Sequence, residues 1–178
     1  MHCESGINAS TDMNDVITID KFNKLTGQET LHPLVSVADL SRDELRDDLR
    51  MPCNFYALIC RQDEKDGQTS LRLINPGEVF EIPSAANRDT KGYTGVLFHP
   101  DLLCGTILER NIGTYPTRCS CRSALSKRER QTIDGCLHEI GKELHHAIDR
   151  YSSDIFVSHI ELLLNYCTRF CDHNGHKE

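Results

Sequence analysis

The spacing of apolar residues along the chain changes period once. Up to about residue 122 they come in short runs or in alternation with polar residues, and from Ser126 onward they recur every three or four positions. "LVSVADL" (34–40) sets Leu34, Val35, Val37 and Leu40 among smaller or polar residues, the pattern of a half-buried strand. "FYALICR" (55–61) predicts a second, more apolar strand, and "LRLINPGEVFEIP" a strand, a turn and another strand. In that turn Pro76 suits position i+1 of a type II turn and Gly77 the positive-φ position after it. Asp66-Gly67 is a hairpin-turn dipeptide. "GYTGVLFHP" (92–100) predicts a further strand stopped by Pro100, and "GTYPTRCSC" (113–121) a weaker last one. Near the start, "VITIDKFNKLTG" carries Val16, Ile17, Ile19, Phe22 and Leu25 in a mixed pattern, either a short strand or a single helical turn ending at Gly27. "SRDELRDDLRMP" is densely charged; Ser41 and Glu44 fit a capping box, which predicts a short solvated helix or loop ending before Pro52.

The second half reads as two helices. Ser126 and Glu129 form a capping box ahead of Ile133, Leu137, Ile140, Leu144 and Ile148. A second helix is predicted from Ser152–Ser153 to about Asp172, with Phe156, Ile160, Leu163, Cys167 and Phe170 on one stripe and Leu162, Leu164 and Tyr166 widening it. Asn174-Gly175 supplies its stop. A link as short as "RYSS" makes the two helices antiparallel neighbours. The second helix is apolar over more than half its circumference, which suggests either burial against the sheet or a partner subunit. The fold class expected is α+β: an antiparallel barrel or sandwich over 16–122, then a helical hairpin over 123–173. Residues 1–15 are read as a disordered polar tail and 174–178 as a short tail.

Composition narrows the function. A chain of 178 residues, 38% hydrophobic and 26% charged, suffices for one good core. No run approaches the ~20 apolar residues that span a bilayer, and the polar start "MHCESGINASTDMND" is no signal peptide, so a cytoplasmic protein without a membrane partner is expected. In that compartment most of the nine cysteines should be reduced. The net charge of −7 argues against direct DNA binding by this chain, which would need a positive surface to replace phosphate counterions. With no βαβ alternation and no glycine-rich phosphate loop, a nucleotide-binding α/β fold is not expected.

Three segments, "GQETLHPLVSVADLS", "GVLFHPDLLCGT" and "HIELLLNYCTRFCD", together resemble the N-terminal sensor and dimerisation domain of AraC-family transcription regulators, over roughly residues 19 to 173. The resemblance implies a cupin-like β-barrel that senses a small-molecule effector, and a C-terminal helix pair that makes a homodimer. In such regulators a helix-turn-helix half follows; here the chain stops at Glu178, and the stretch between "FYALICR" and "LRLINPGEVF" is short for the family. The expectation is therefore a sensing and dimerising domain without its own DNA-binding half, able to modulate full-length relatives. The alternative is a small cupin-type metal-dependent enzyme or a small-molecule binding protein.

No grouping of nucleophile, base and orienting residue can be assembled from spacing, so no catalytic residue, cofactor or metal is assigned. Barrel-interior candidates for ligand binding are Phe55, Leu58, Ile74, Val79, Phe80 and Leu97. The barrel region offers only His32 and His99 as imidazole ligands; His99-Pro100-Asp101 reads as a strand-to-helix corner. Cys119-x-Cys121, flanked by Arg118 and Arg122, is a weak redox or half-zinc signal. His138 and His145 lie seven apart on one helical face beside His146, and Arg118, Arg122, Lys127, Arg128 and Arg130 cluster near a helix start. The tail run Cys167, Cys171, His173 and His176 has soft metal-ligand side chains, but Cys167 belongs to the apolar stripe and the histidines follow the helix end.

Overall fold

The structure, a computed structural model, describes residues 15–40, 45–62, 68–84, 86, 92–121 and 125–175. The sequence expectations for the N-terminal tail, the Ser41/Glu44 box and the Asp66-Gly67 turn lie outside the described residues.

The elements in chain order are α1 (Ile19–Leu25), β1 (Val35–Asp39), β2 (Leu49–Pro52), β3 (Tyr56–Gln62), β4 (Thr69–Ile74), β5 (Val79–Ile82), β6 (Gly92–Phe98), α2 (Pro100–Leu103), α3 (Ile107–Asn111), β7 (Arg118–Cys121), α4 (Lys127–Leu144) and α5 (Ser152–Gly175). Five strands form one antiparallel sheet in the order β1-β6-β3-β4-β7, and β2 and β5 form a second, two-stranded one. The chain is thus α+β, with antiparallel strands in two sheets and helices at the C-terminal end.

Alternation along each strand splits the core in two. On one face of the large sheet Val35, Leu58, Cys60, Leu71, Leu73, Val96 and Phe98 meet Leu102 and Leu103 of α2, Ile133, Leu137 and Ile140 of α4, and Phe156, Ile160 and Leu163 of α5. On the other, Ala38, Ala57, Ile59, Ile74 and Leu97 meet Leu49, Phe80 and Ile82 of the small sheet and Ile19 and Phe22 of α1. A sheet covered on both sides has no solvent face, which is why "FYALICR" is nearly continuously apolar.

Local chemistry sets the joints. Gly77 sits at φ +87° and Glu78 N–H donates to the Asn75 carbonyl at 3.1 Å, as a Pro-Gly turn requires. This turn does not make a hairpin: β4 pairs with β3 and β7, while β5 pairs with β2, so it carries the chain from one sheet to the other. The first apolar segment is a helix, capped by the Thr18 hydroxyl accepting from Lys21 N–H, with Gly27 at φ +72° after its end. Buried Asn23 ties α1 to β1 by accepting from the Ser36 hydroxyl at 2.8 Å and donating to the Thr30 hydroxyl at 3.2 Å. The Ser126–Glu129 capping box is formed in full.

Two expectations are corrected. The charged segment 41–52 ends in a strand, β2, and not in a helix or loop that stops before Pro52. Leu49 is buried and Arg50 exposed, and the pairing of Leu49 with Ile82 supplies the ladder that local charge density concealed. Ile148 does not continue the α4 stripe: the helix ends at Leu144, so Ile148 lies in the link to α5 and is 61% exposed.

Among the described glycines, Gly95 in β6 is the one whose added Cβ would meet other atoms within 4 Å. A Cβ there would lie 2.2 Å from the Leu58 carbonyl oxygen and 3.2 Å from the Ile59 Cα, both backbone atoms of β3. Gly95→Ala should therefore destabilise the fold by ~1–3 kcal/mol through overpacking. Phe80, which meets Phe22 at 5.7 Å and Phe55 at 5.5 Å edge to face, should cost about 3–5 kcal/mol on truncation to alanine. Urea titrations followed by far-UV circular dichroism measure both, as reduced midpoints with an unchanged slope.

Candidate functional site

The space between the two sheets is mostly filled. Of the residues predicted to line it, Phe55, Ile74, Phe80 and Leu97 are buried there and pack on one another and on Phe22. Leu58 points instead to the helical face, and Val79 is 42% exposed; neither lines the interior. Each strand alternates strictly, so the face of a given residue depends on which layer lies on that side, and spacing alone does not reveal it. What remains open is a cleft of about 270 Å³ at one end, lined by Ile59, Arg61, Ser70, Arg72, Ile74, Glu81, Pro83 and Tyr93. Its two guanidiniums come from adjacent strands, Arg61 opposite Ser70 and Arg72 opposite Ile59.

The larger opening is outside the sheets. A cleft of about 680 Å³ runs between β1 and α4. Val37, Ala38, Leu137 and Gly141 form its apolar walls, and Asp39, Thr94, Asp134, His138, Lys142 and His145 its polar rim. The α4 residues fall at helical spacing along one face, and Gly141 supplies the hollow: a Cβ there would meet nothing within 4 Å. A neighbouring cleft shares Val37, Gly141 and His145 and extends the groove past Val35 to Leu31, Glu29 and Gln28. His145 Nδ1–H donates to the Gly141 carbonyl at 2.8 Å, which leaves Nε2 as the acceptor. Lys142 bonds Glu139 at 3.1 Å. The predicted pair His138 and His145 thus shares this groove, whereas His146 lines a different cleft, with Asp149, Tyr151 and Ile155. Sequence spacing placed both histidines on one face; the helix's position over an edge strand was not legible.

The remaining candidates are dispersed. His99 caps α2, its Nδ1 accepting from Asp101 N–H at 3.2 Å, as the corner reading expects. Among the described residues no three His, Cys, Asp or Glu side chains gather as a metal site. In the tail Cys167 is buried, Cys171 is disulfide-bonded and thereby lost as a thiolate ligand, His173 is exposed, and His176 lies outside the described residues. The side chains of Arg118, Cys119, Cys121 and Arg122 also lie outside them; Lys127 and Arg128 are exposed and Arg130 is half-buried. Burial pushes the Cys53 and Cys136 thiols up, away from nucleophilic thiolates.

His32 has a structural part that its spacing did not reveal. It is 5% exposed, its ring meets Phe156 of α5 edge to face at 5.0 Å, and its Nδ1 accepts from Leu34 N–H at 3.0 Å. Desolvation holds its pKa below the ordinary 6.5. Below that value the unfolded chain takes up a proton that the fold resists, so stability present above about pH 6.5 is lost as the pH falls. Urea midpoints measured from pH 7.5 to 5 should decline, and His32→Gln should flatten that decline even if it lowers the whole curve. Compared with known proteins, the chain matches no family model and no curated protein.

Proposed function

We propose that the chain is a binding and dimerisation domain of the AraC-like kind, with the two sheets serving as a cupin-like barrel and α4–α5 as an antiparallel dimerisation hairpin. The observation that carries this reading is on α5. Its buried stripe, Phe156, Ile160, Leu163, Cys167 and Phe170, is spent on the sheet and α4, yet Ile155 and Leu162 remain 37% and 45% exposed. With half-buried His159 and Tyr166 they recur at i, i+4, i+7 and i+11, the spacing of a helix–helix seam. An exposed apolar seam on a helix already packed on its other side is what a two-fold partner covers. The effector would enter the cleft at the end of the sheets, where Arg61 and Arg72 favour an acidic group.

Sedimentation equilibrium tests the dimer. The native chain should sediment as a dimer at micromolar concentration, and Leu162→Glu should shift it to monomer with at least a hundred-fold weaker association. A strictly monomeric native chain would overturn the seam reading.

A further inference from the structure

We infer that the cleft at the end of the two sheets takes a small monocarboxylate with an apolar body, its carboxylate held between Arg61 and Arg72, while Glu81 turns away doubly charged anions. The inference rests on the reading of this cleft as the effector site and names the ligand class for it. It does not rest on the dimer, because the cleft and α5 lie on opposite sides of the large sheet.

Strand register builds the cationic side. Tyr93, Arg61 and Ser70 stand opposite one another across β6, β3 and β4, and in the next row Gly95, Ile59 and Arg72 do the same. Opposed residues share a face of the sheet, and Ile59 belongs to the core beneath the small sheet. Arg61 and Arg72 are therefore diagonal neighbours on that face, ~7–8 Å apart, within reach of one anion through their long side chains. Among the described residues neither guanidinium has an ion-pair or hydrogen-bond partner. In a chain with 27 acidic and 20 basic residues, two neighbouring guanidiniums without a carboxylate depart from the average surface. A carboxylate laid between them would relieve their repulsion and accept from each planar fork.

The rest of the lining sets the size and charge of the ligand. Ile59, Ile74 and Tyr93 are buried, and with half-buried Pro83 they give the cleft an apolar wall for a hydrocarbon body. Its volume of about 270 Å³ falls below the ~300 Å³ at which pockets for drug-sized ligands begin, so the body is short. Glu81 lines the same cleft, and its carboxylate has no ion-pair partner among the described residues. Two guanidiniums and one carboxylate leave one net positive charge, which a single carboxylate neutralises. A dicarboxylate or a phosphate monoester would exceed it and set its second charge in the same small cleft as Glu81.

Calorimetric titration of the full chain with 3-phenylpropionate, its neutral amide and the dianion benzylsuccinate tests the inference. 3-Phenylpropionate should bind about ten-fold tighter than either of the others. Arg61→Gln and Arg72→Gln should each weaken it about ten-fold and leave the amide unaffected. Glu81→Gln raises the net charge of the cleft by one and should bring benzylsuccinate up to the affinity of 3-phenylpropionate. The arginine Nε–H resonances of residues 61 and 72 should move during the titration. Tighter binding of the amide or of benzylsuccinate to the native chain, with those resonances moving, overturns the ligand class and keeps the cleft as a binding site. Binding that leaves both resonances unmoved, or no binding of any of the three, overturns the inference and the effector reading of the cleft together. The dimer, measured by sedimentation, stands or falls separately.

Discussion

The pairing of β3 with β6 at the middle of the large sheet is the constraint on which the other elements depend. Leu58 faces Val96 and Ile59 faces Gly95, and the backbones approach so closely at Gly95 that a side chain has no room. These two strands send Leu58, Cys60, Val96 and Phe98 to one side and Ala57, Ile59 and Leu97 to the other. A sheet apolar on both faces is insoluble until both are covered, and the rest of the chain supplies the covers. The small sheet and α1 close one side around Phe22, Phe55 and Phe80. The C-terminal helices close the other.

Covering the two faces left different residues for function. On the side of the small sheet the aromatic rings fill the space, and polar groups survive only at its end, around Arg61, Arg72 and Glu81. On the helical side, α4 and α5 cover five strands incompletely. The consequence is a groove along β1 under α4, and an outer stripe on α5 that the core does not use. The groove arises from the mismatch between two helices and a five-stranded sheet, because neither helix can be both over the sheet centre and flush with its edge.

Titratable groups inside the molecule serve packing. Burial between Phe156 and the Leu34 amide lowers the His32 pKa, and burial raises those of the Cys53 and Cys136 thiols. His99 spends its acceptor on capping α2. His138 and His145 line the groove on the α4 rim, and His146 lines the cleft beside the start of α5.

Much of this architecture is determined locally and was legible in the sequence. Alternation marks β1 and apolar runs mark β3 and β6; Pro76-Gly77 needs the positive φ it adopts; and the hydroxyl of Ser126 and the ring of His99 cap the backbone beside them. These features rest on groups within a few residues of each other, so their physics is in the sequence. The two covering layers are another matter. β2 is a strand because β5 pairs with it, despite the charge around it, and Leu58 faces the helices only because that is where they dock. Leu162 and Leu164 are both leucines two apart on one helix, yet one is 45% exposed and the other 2%. The groove belongs to this class as well, since Val37 and Gly141 are a hundred residues apart and meet only when α4 crosses an edge strand. Periodicity states that an apolar face exists; only long-range packing decides what covers it and what is left open.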